Sequence, residues 1–238
     1  MLSREIFVGV IRWLALVPAV VLHEVAHGWI AWHLGDPTAK SRGRLSLNPL
    51  GHIDPIGTIL LPAILLVTRA GFLIGYAKPV PVDPTYFRNP LKGMLYTAAA
   101  GPGTNLLLAA FMTIFVRLVL LAVPESAIVD DAIGFEVLRS VLGFCYYFVL
   151  WNIVLTVFNL IPIPPLDGSK ILAYFLSANG RRILTSIERY GFLVLLVVLL
   201  VESRAGGGPL SWLLENTVSG WHTFFGVKWS AAVYLFMQ

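Results

Sequence analysis

Four stretches of the chain are apolar for longer than a globular core can use, at roughly residues 6–34, 94–123, 133–161 and 183–201. The hydrocarbon of a bilayer is about 30 Å thick and takes about 20 helical residues to cross, so each stretch is long enough to span it. Lipid offers the backbone no hydrogen bonds, which leaves helices or a closed barrel as the only spanning forms. Apolar runs of this length predict helices, and hence an all-α polytopic membrane protein with about four to six crossings. Composition agrees: 57% of the 238 residues are hydrophobic, 13% are charged, and the mean hydropathy is +0.79, too apolar for an ordinary soluble domain.

Between the first two stretches, residues 56–76 are ambiguous. Their apolar part ends near Val67, Pro62 interrupts it, and Arg69 and several glycines follow, so a crossing, a re-entrant segment and buried strands all fit. Lys40, Arg42, Arg44, Lys78, Arg88 and Lys92 flank this segment, and Lys170, Arg181, Arg182 and Arg189 follow the third long stretch. The loop after Val123 holds Glu125, Asp130, Asp131 and Glu136 instead. The positive-inside rule puts both basic regions in the cytoplasm, which requires 56–76 to leave the bilayer on the side it entered; Arg4 and Arg12 run against the rule. The tail at 210–236 mixes Trp212, Trp221, Phe224, Phe225 and Trp229 with Glu215, His222 and Lys228, a pattern for a helix in the interface or for a further crossing. The expected division is a core at 1–205 and an aromatic carboxy-terminal segment at 206–238.

The net charge of +4 is spread over these loops and no nucleic-acid motif accompanies it, so lipid is an expected partner and nucleic acid is not. Cys145 is the single cysteine, which excludes an intramolecular disulfide and a thiolate metal site. No small-residue cleavage pattern follows the first apolar stretch, so that stretch is expected to stay in the protein rather than leave as a signal peptide.

That first stretch carries HEVAH: His23, Glu24 and His27. At about 100° per residue on a helix, the two histidines share a face one turn apart and can reach one metal ion. Glu24, on the adjoining flank, can approach a water that the metal acidifies. The bland alternative is three polar side chains bonded to nearby backbone. A membrane span disfavours it, since ionisable groups there are costly unless they pair or coordinate.

A catalytic zinc takes three protein ligands and an open position. His33 would complete HEVAHGWIAWH, but Ile30 stands where a turn glycine is needed. On a continuous helix His33 lies about 100° around and about 9 Å beyond His27, so an interfacial role suits it better. His52 and Asp54, in NPLGHIDPIG, could ligate or could shape turns. Asp167, in NLIPIPPLDG after the third long stretch, is the strongest candidate, because prolines deny the backbone regular helix pairing there and glycine permits a tight turn. Its alternative is to cap the helix starting at Gly168. Sidedness supports ligation: with 56–76 not crossing, the histidines and Asp167 lie at similar depth near the inner ends of their spans.

HEVAH in a first span, AAAGPGTN in a middle one and NLIPIPPLDG closing a later one, in that order over residues 21–170, resemble the site-2 family of intramembrane zinc metalloproteases. The resemblance implies one Zn2+ per chain, held by His23, His27 and Asp167, with Glu24 as the base that activates water and later passes a proton to the leaving amine. It implies a substrate-binding role for Asn159, whose amide would hold the substrate carbonyl or the oxyanion; an interhelical hydrogen bond is its other reading. Asn105 has the same two readings with the structural one favoured, and Gly101 and Gly103 are expected to allow close helix packing. The resemblance also implies a small membrane-associated β-sheet after the first helix, with GRLSLNP and GYAKPVPV as local candidates, to which an unwound substrate could add a strand. The prolines would limit pairing along one edge. The chain has no room for the peptide-binding PDZ domain or the nucleotide-sensing CBS domain of some relatives, and its compact form resembles the prokaryotic branch.

The expected function is a multi-pass zinc endopeptidase of the cell's inner membrane, its site toward the cytoplasm, that cuts a transmembrane segment of another protein. A homo-oligomer and a separate regulatory partner are both left open. Two other classes stand beside this one. A proton or metal transporter would use His23, Glu24 and Asp167 as a pathway and would usually show inverted repeats, and none is visible. A non-catalytic relative would lack a ligand or the base, and here all are present.

Overall fold

The computed structural model describes residues 2–68, 75–122 and 132–226. The four apolar stretches form four long helices, α1 (Leu2–His33), α4 (Pro90–Ala122), α5 (Ala132–Leu160) and α7 (Ala178–Ala205). Their span-length apolar parts, Ile6–His33, Pro90–Leu121, Val137–Leu160 and Ala178–Ala205, differ from the limits read in the sequence by at most five residues. Short elements join them: α2 (Thr38–Ser41), a 3₁₀ turn at Pro49–His52, a wide helical turn at Pro55–Leu60 running into α3 (Leu61–Val67), a 3₁₀ turn at Pro84–Tyr86, α6 (Asp167–Phe175) and α8 (Pro209–Phe225).

Helices α1, α4 and α5 make the core. One apolar cluster joins Val8, Ile11, Ala15 and Ala19 of α1 to Tyr147 and Phe148 of α5, and a second joins Ala109 and Val116 of α4 to Leu142, Cys145, Val149 and Ile153 of α5. Ala15, Ala19 and Ala109 are fully buried, so the backbones approach closely. Lipid-embedded helices depend on such contact because apolar burial gains them little over hydrocarbon. The outward faces are apolar instead: Leu107, Phe111 and Leu121 on α4 and Val201 on α7 are each more than half exposed. Helix α8 packs Trp221 and Phe225 on the α4–α5 cluster, and the Trp221 indole donates to Thr113 Oγ1 at 3.0 Å. The α7–α8 join is held by Glu202, whose carboxylate accepts from the Leu210 and Ser211 amides.

The expected β-sheet is absent: among the described residues there is no strand, GYAKPVPV is irregular chain, and GRLSLNP is turn and irregular chain up to Pro49, which opens the 3₁₀ turn. The re-entrant alternative is not supported either: the described part of this segment is a wide helical turn at Pro55–Leu60 running into α3 at Leu61–Val67, and Tyr76 N–H donates to the Gly57 carbonyl at 3.1 Å. The physical reason lies in the residues themselves. Pro79, Pro81 and Pro84 remove amides that a ladder would need, and other groups take up what remains. Arg44 donates to the carbonyls of Gly51, Lys78 and Pro79. The Lys78 amide donates to His52 O at 2.8 Å and the Asp83 amide to Asp36 Oδ2 at 2.7 Å.

Candidate metal centre

His23 and His27 project from α1 one turn apart, as their spacing requires, and Asp167 reaches them from the first turn of α6. Helix α5 stops at Leu160 because Pro162, Pro164 and Pro165 follow, and the chain turns through Ile163 N–H to Ile161 O and Leu166 N–H to Ile163 O. Leu166 stands at the N-cap of α6 with no side-chain cap, and Asp167 occupies the first turn, so the capping alternative is not what the aspartate does. Gly168 lies against the carbonyls of Leu160 and Ile161, and a Cβ there would collide with both. Only glycine lets the first turn of α6 fold back far enough to aim Asp167 inward.

Asp167 Oδ2 lies 3.3 Å from His23 Nε2 and 3.1 Å from His27 Nε2, and the two nitrogens are 3.0 Å apart. All three residues are buried, and among the described residues they are the only group placed to share a metal ion. The far nitrogens of the rings fix the tautomers. His27 Nδ1 is 2.7 Å from Thr97 O, which can only accept, so Nδ1 carries the hydrogen. His23 Nδ1 faces Asn105 Oδ1 at 2.5 Å, while the Asn105 amide nitrogen donates to Ala19 O and Asn152 Oδ1. Both neutral rings therefore turn Nε2 lone pairs toward a carboxylate oxygen. Three converging acceptors repel unless a cation stands among them. A tetrahedral zinc with bonds of about 2.0–2.1 Å would hold its ligand atoms about 3.4 Å apart, close to the spacing seen, and two imidazoles with a carboxylate suit it chemically.

The Lys170 ammonium, 3.7 Å from Asp167 Oδ1, favours the ionised form of this buried carboxyl. Helix α4 supplies the room. A Cβ at Gly101 would lie 2.5 Å from His27 Nε2 and 2.6 Å from His23 Cε1, so a bare α-carbon backs the histidine pair. Gly103, expected to play the same part, has nothing within 4 Å and is not needed for packing.

Glu24 lies at the seam between α1 and the loop that follows. Its Oε2 accepts from the Val80 amide at 3.1 Å, and the buried Val80 side chain packs over Gly28, where a Cβ would come within 2.8 Å of Val80 Cγ1. The other candidates fall outside the cluster. His33 is exposed, donates to Trp29 O at 2.8 Å and rests against the rings of Trp29 and Trp32. His52 donates to Ser46 O at 2.8 Å, and Asp54 caps the Pro55–Leu60 turn by accepting from the Ile56 and Gly57 amides. Half-buried Asn159 donates to Leu155 O at 3.0 Å within its own helix, and Asn105 is fully buried behind His23.

Two residues were not anticipated. Asp36, fully buried, accepts from the Thr38 and Asp83 amides and ties the loop to the end of α1. The D-P-T sequence signals the local turn, but not a contact 47 residues away. Asn152, fully buried in α5, was open to detection as a lone amide within a span.

Residues 12–201 match the model of Peptidase family M50. A Bacillus subtilis (strain 168) protein named "Putative zinc metalloprotease YwhC" is 40% identical over 207 residues, 85% of this chain and 84% of its own. Two proteins with the same description and the name Rip2, from Mycolicibacterium smegmatis and Mycobacterium tuberculosis (strain H37Rv), are each 31% identical, covering 78% and 88% of this chain and 64% and 74% of theirs. No solved structure gives a significant match. The family match runs from α1 into α7, so it takes in the histidines, the glycine behind them and the aspartate that meets them, and with a relative 40% identical across most of both chains it shows that this chain belongs to Peptidase family M50.

Proposed function

We propose that the chain is an intramembrane zinc endopeptidase that hydrolyses peptide bonds in or near transmembrane segments of other membrane proteins. The chief support is the meeting of three buried acceptors, His23 Nε2, His27 Nε2 and Asp167 Oδ2, on rings whose other nitrogens are already committed as donors. In this reading those three residues hold the metal and Glu24 is the base. Zinc, when bound, supplies a Lewis acid that acidifies water and polarises the scissile carbonyl. Glu24 takes the proton of the attacking water and delivers it to the leaving amine; with Oε2 held by the Val80 amide, Oε1 is the oxygen that carries it. Asn159 is assigned to the substrate carbonyl, while Asn105, fully buried, is not assigned to substrate.

His27 stands six residues before the end of α1, about 9 Å of helix, and Asp167 follows the end of α5, so both lie toward the same ends of their spans. Lys40, Arg42, Arg44, Lys78 and Arg88 come next along the chain from the histidines, which supports a site near the cytoplasmic face of the inner membrane. Residues 1–205 are the catalytic core in this scheme, with 206–238 an accessory aromatic segment whose α8 leans on α4 and α5. The test is cleavage of a panel of single-span proteins by the purified chain in detergent. The parent cuts, and Glu24→Gln keeps its zinc while kcat falls by about 10²–10⁴-fold or more. Equal cutting by Glu24→Gln refutes the mechanism.

A further inference from the structure

We infer that Asn105 and Asn152 are positioning residues that set the tautomer of His23, a role that rests on the metal-centre reading above. The hydrogen bonds between them run in one direction. Asn152 Nδ2 donates to Phe148 O at 2.7 Å, which turns its Oδ1 toward α4. Asn105 Nδ2 donates to that Oδ1 at 2.7 Å and to Ala19 O at 3.2 Å, which turns its own Oδ1 toward His23 Nδ1. The main-chain carbonyls at Phe148 and Ala19 can only accept, so neither amide can turn over without setting oxygen against oxygen. Both asparagines are fully buried, so no solvent can repair a reversed bond, and an unmade one would carry its whole desolvation cost.

The consequence falls on the ring. With an oxygen fixed opposite Nδ1, the neutral imidazole holds its hydrogen there and leaves the Nε2 lone pair facing Asp167. The same task is done for His27 by the main-chain carbonyl of Thr97, which no substitution of residue 97 removes. His23 differs in depending on side chains of two other helices, so the α1–α4–α5 packing is read directly by a ligand. Simple interhelical bonding is the competing role, and it predicts a loss of stability without a change at the ring.

The experiment uses the full chain in detergent, stripped of metal with a chelator and labelled with 15N-histidine. NMR reads which ring nitrogen of His23 bears hydrogen, and competition against a chelator reads Co2+ and Zn2+ affinity. The parent shows His23 with hydrogen on Nδ1. Asn105→Leu moves a population to Nε2–H and lowers metal affinity about 10–100-fold, and Asn152→Leu acts in the same direction with a smaller effect. Thr113→Val removes another buried polar group of α4, one that partners Ala109 O and Trp221 instead, and leaves the His23 tautomer and the affinity as in the parent. The inference is overturned if Asn105→Leu keeps the parent tautomer and affinity, or if Thr113→Val lowers affinity equally. Should Asn105→Leu fail to fold, an unchanged ring and affinity in Asn152→Leu overturn it alone. A parent that binds no metal would sink the metal-centre reading, while the ring measurement on the metal-free protein still decides the relay.

Discussion

Where α1, α4 and α5 meet, side chains are held by helix carbonyls, directly for His27 (Thr97 O), Asn152 (Phe148 O) and Thr156 (Pro102 O) and through the Asn105 and Asn152 side chains for His23. In the loop between α1 and α4 the dependence is reversed, and main-chain groups are held by side chains: Val80 by Glu24, Asp83 by Asp36, Lys78 and Pro79 by Arg44. A helix carbonyl is immobile and buried, so the metal side has no slack. The loop's bonds end on side chains, several of them partly exposed, which water can replace one at a time. The difference teaches how one small bundle can hold three buried acceptors in fixed register beside a loop whose contacts can be exchanged one at a time.

The contrast is sharpest at two glycines of one motif. Gly101→Ala pushes a methyl into the histidine pair, and its metal affinity should fall at least about tenfold, whereas Gly103→Ala, in open space, should bind metal like the parent. Equal effects from the two would break the claim that the metal side is close-fitted. Gly168→Ala meets backbone rather than side chain, and should cost about 1–3 kcal/mol of stability, seen as a lower unfolding temperature, together with weaker metal binding.

On the loop side, Asp36→Ala strands two amides and should cost about 1–3 kcal/mol, read as faster limited proteolysis within 75–87, with metal affinity unchanged. If affinity fell as it does for Gly101→Ala, the two regions would be one mechanical unit. The smallest expected effect is that of acid. The Thr85 hydroxyl and then the Thr85 amide hold the Asp83 carboxyl below its ordinary value of 3.8. A depressed carboxyl stabilises above its unfolded value and loses that contribution only as pH falls through the lower folded one. Protection of the Thr85 amide, corrected for intrinsic exchange, should therefore be level between about pH 5 and 7.

The two regions were also unequally legible. Span limits came through because lipid imposes length and composition on every residue of a span. The meeting of His23, His27 and Asp167 was legible because metal-ligand chemistry restricts residue type and helical spacing restricts position. The Asn105–His23 contact was not readable, since nothing local says that a residue 82 positions away will face a ring nitrogen. The loop was misread for a different reason: strands were carried over from a family resemblance, while Pro79, Pro81 and Pro84 already argued against a ladder. The bonds that hold that loop, from Asp36, Arg44 and Glu24, leave no periodic trace in sequence.

The account stands on Asp167 closing the site begun by His23 and His27. Zinc content of the purified protein after dialysis, parent against Asp167→Ala, tests that most directly. The account predicts about one zinc per parent chain and little in the variant, because two imidazoles alone leave a catalytic zinc one protein ligand short. A variant that keeps one zinc with the affinity of the parent would contradict it.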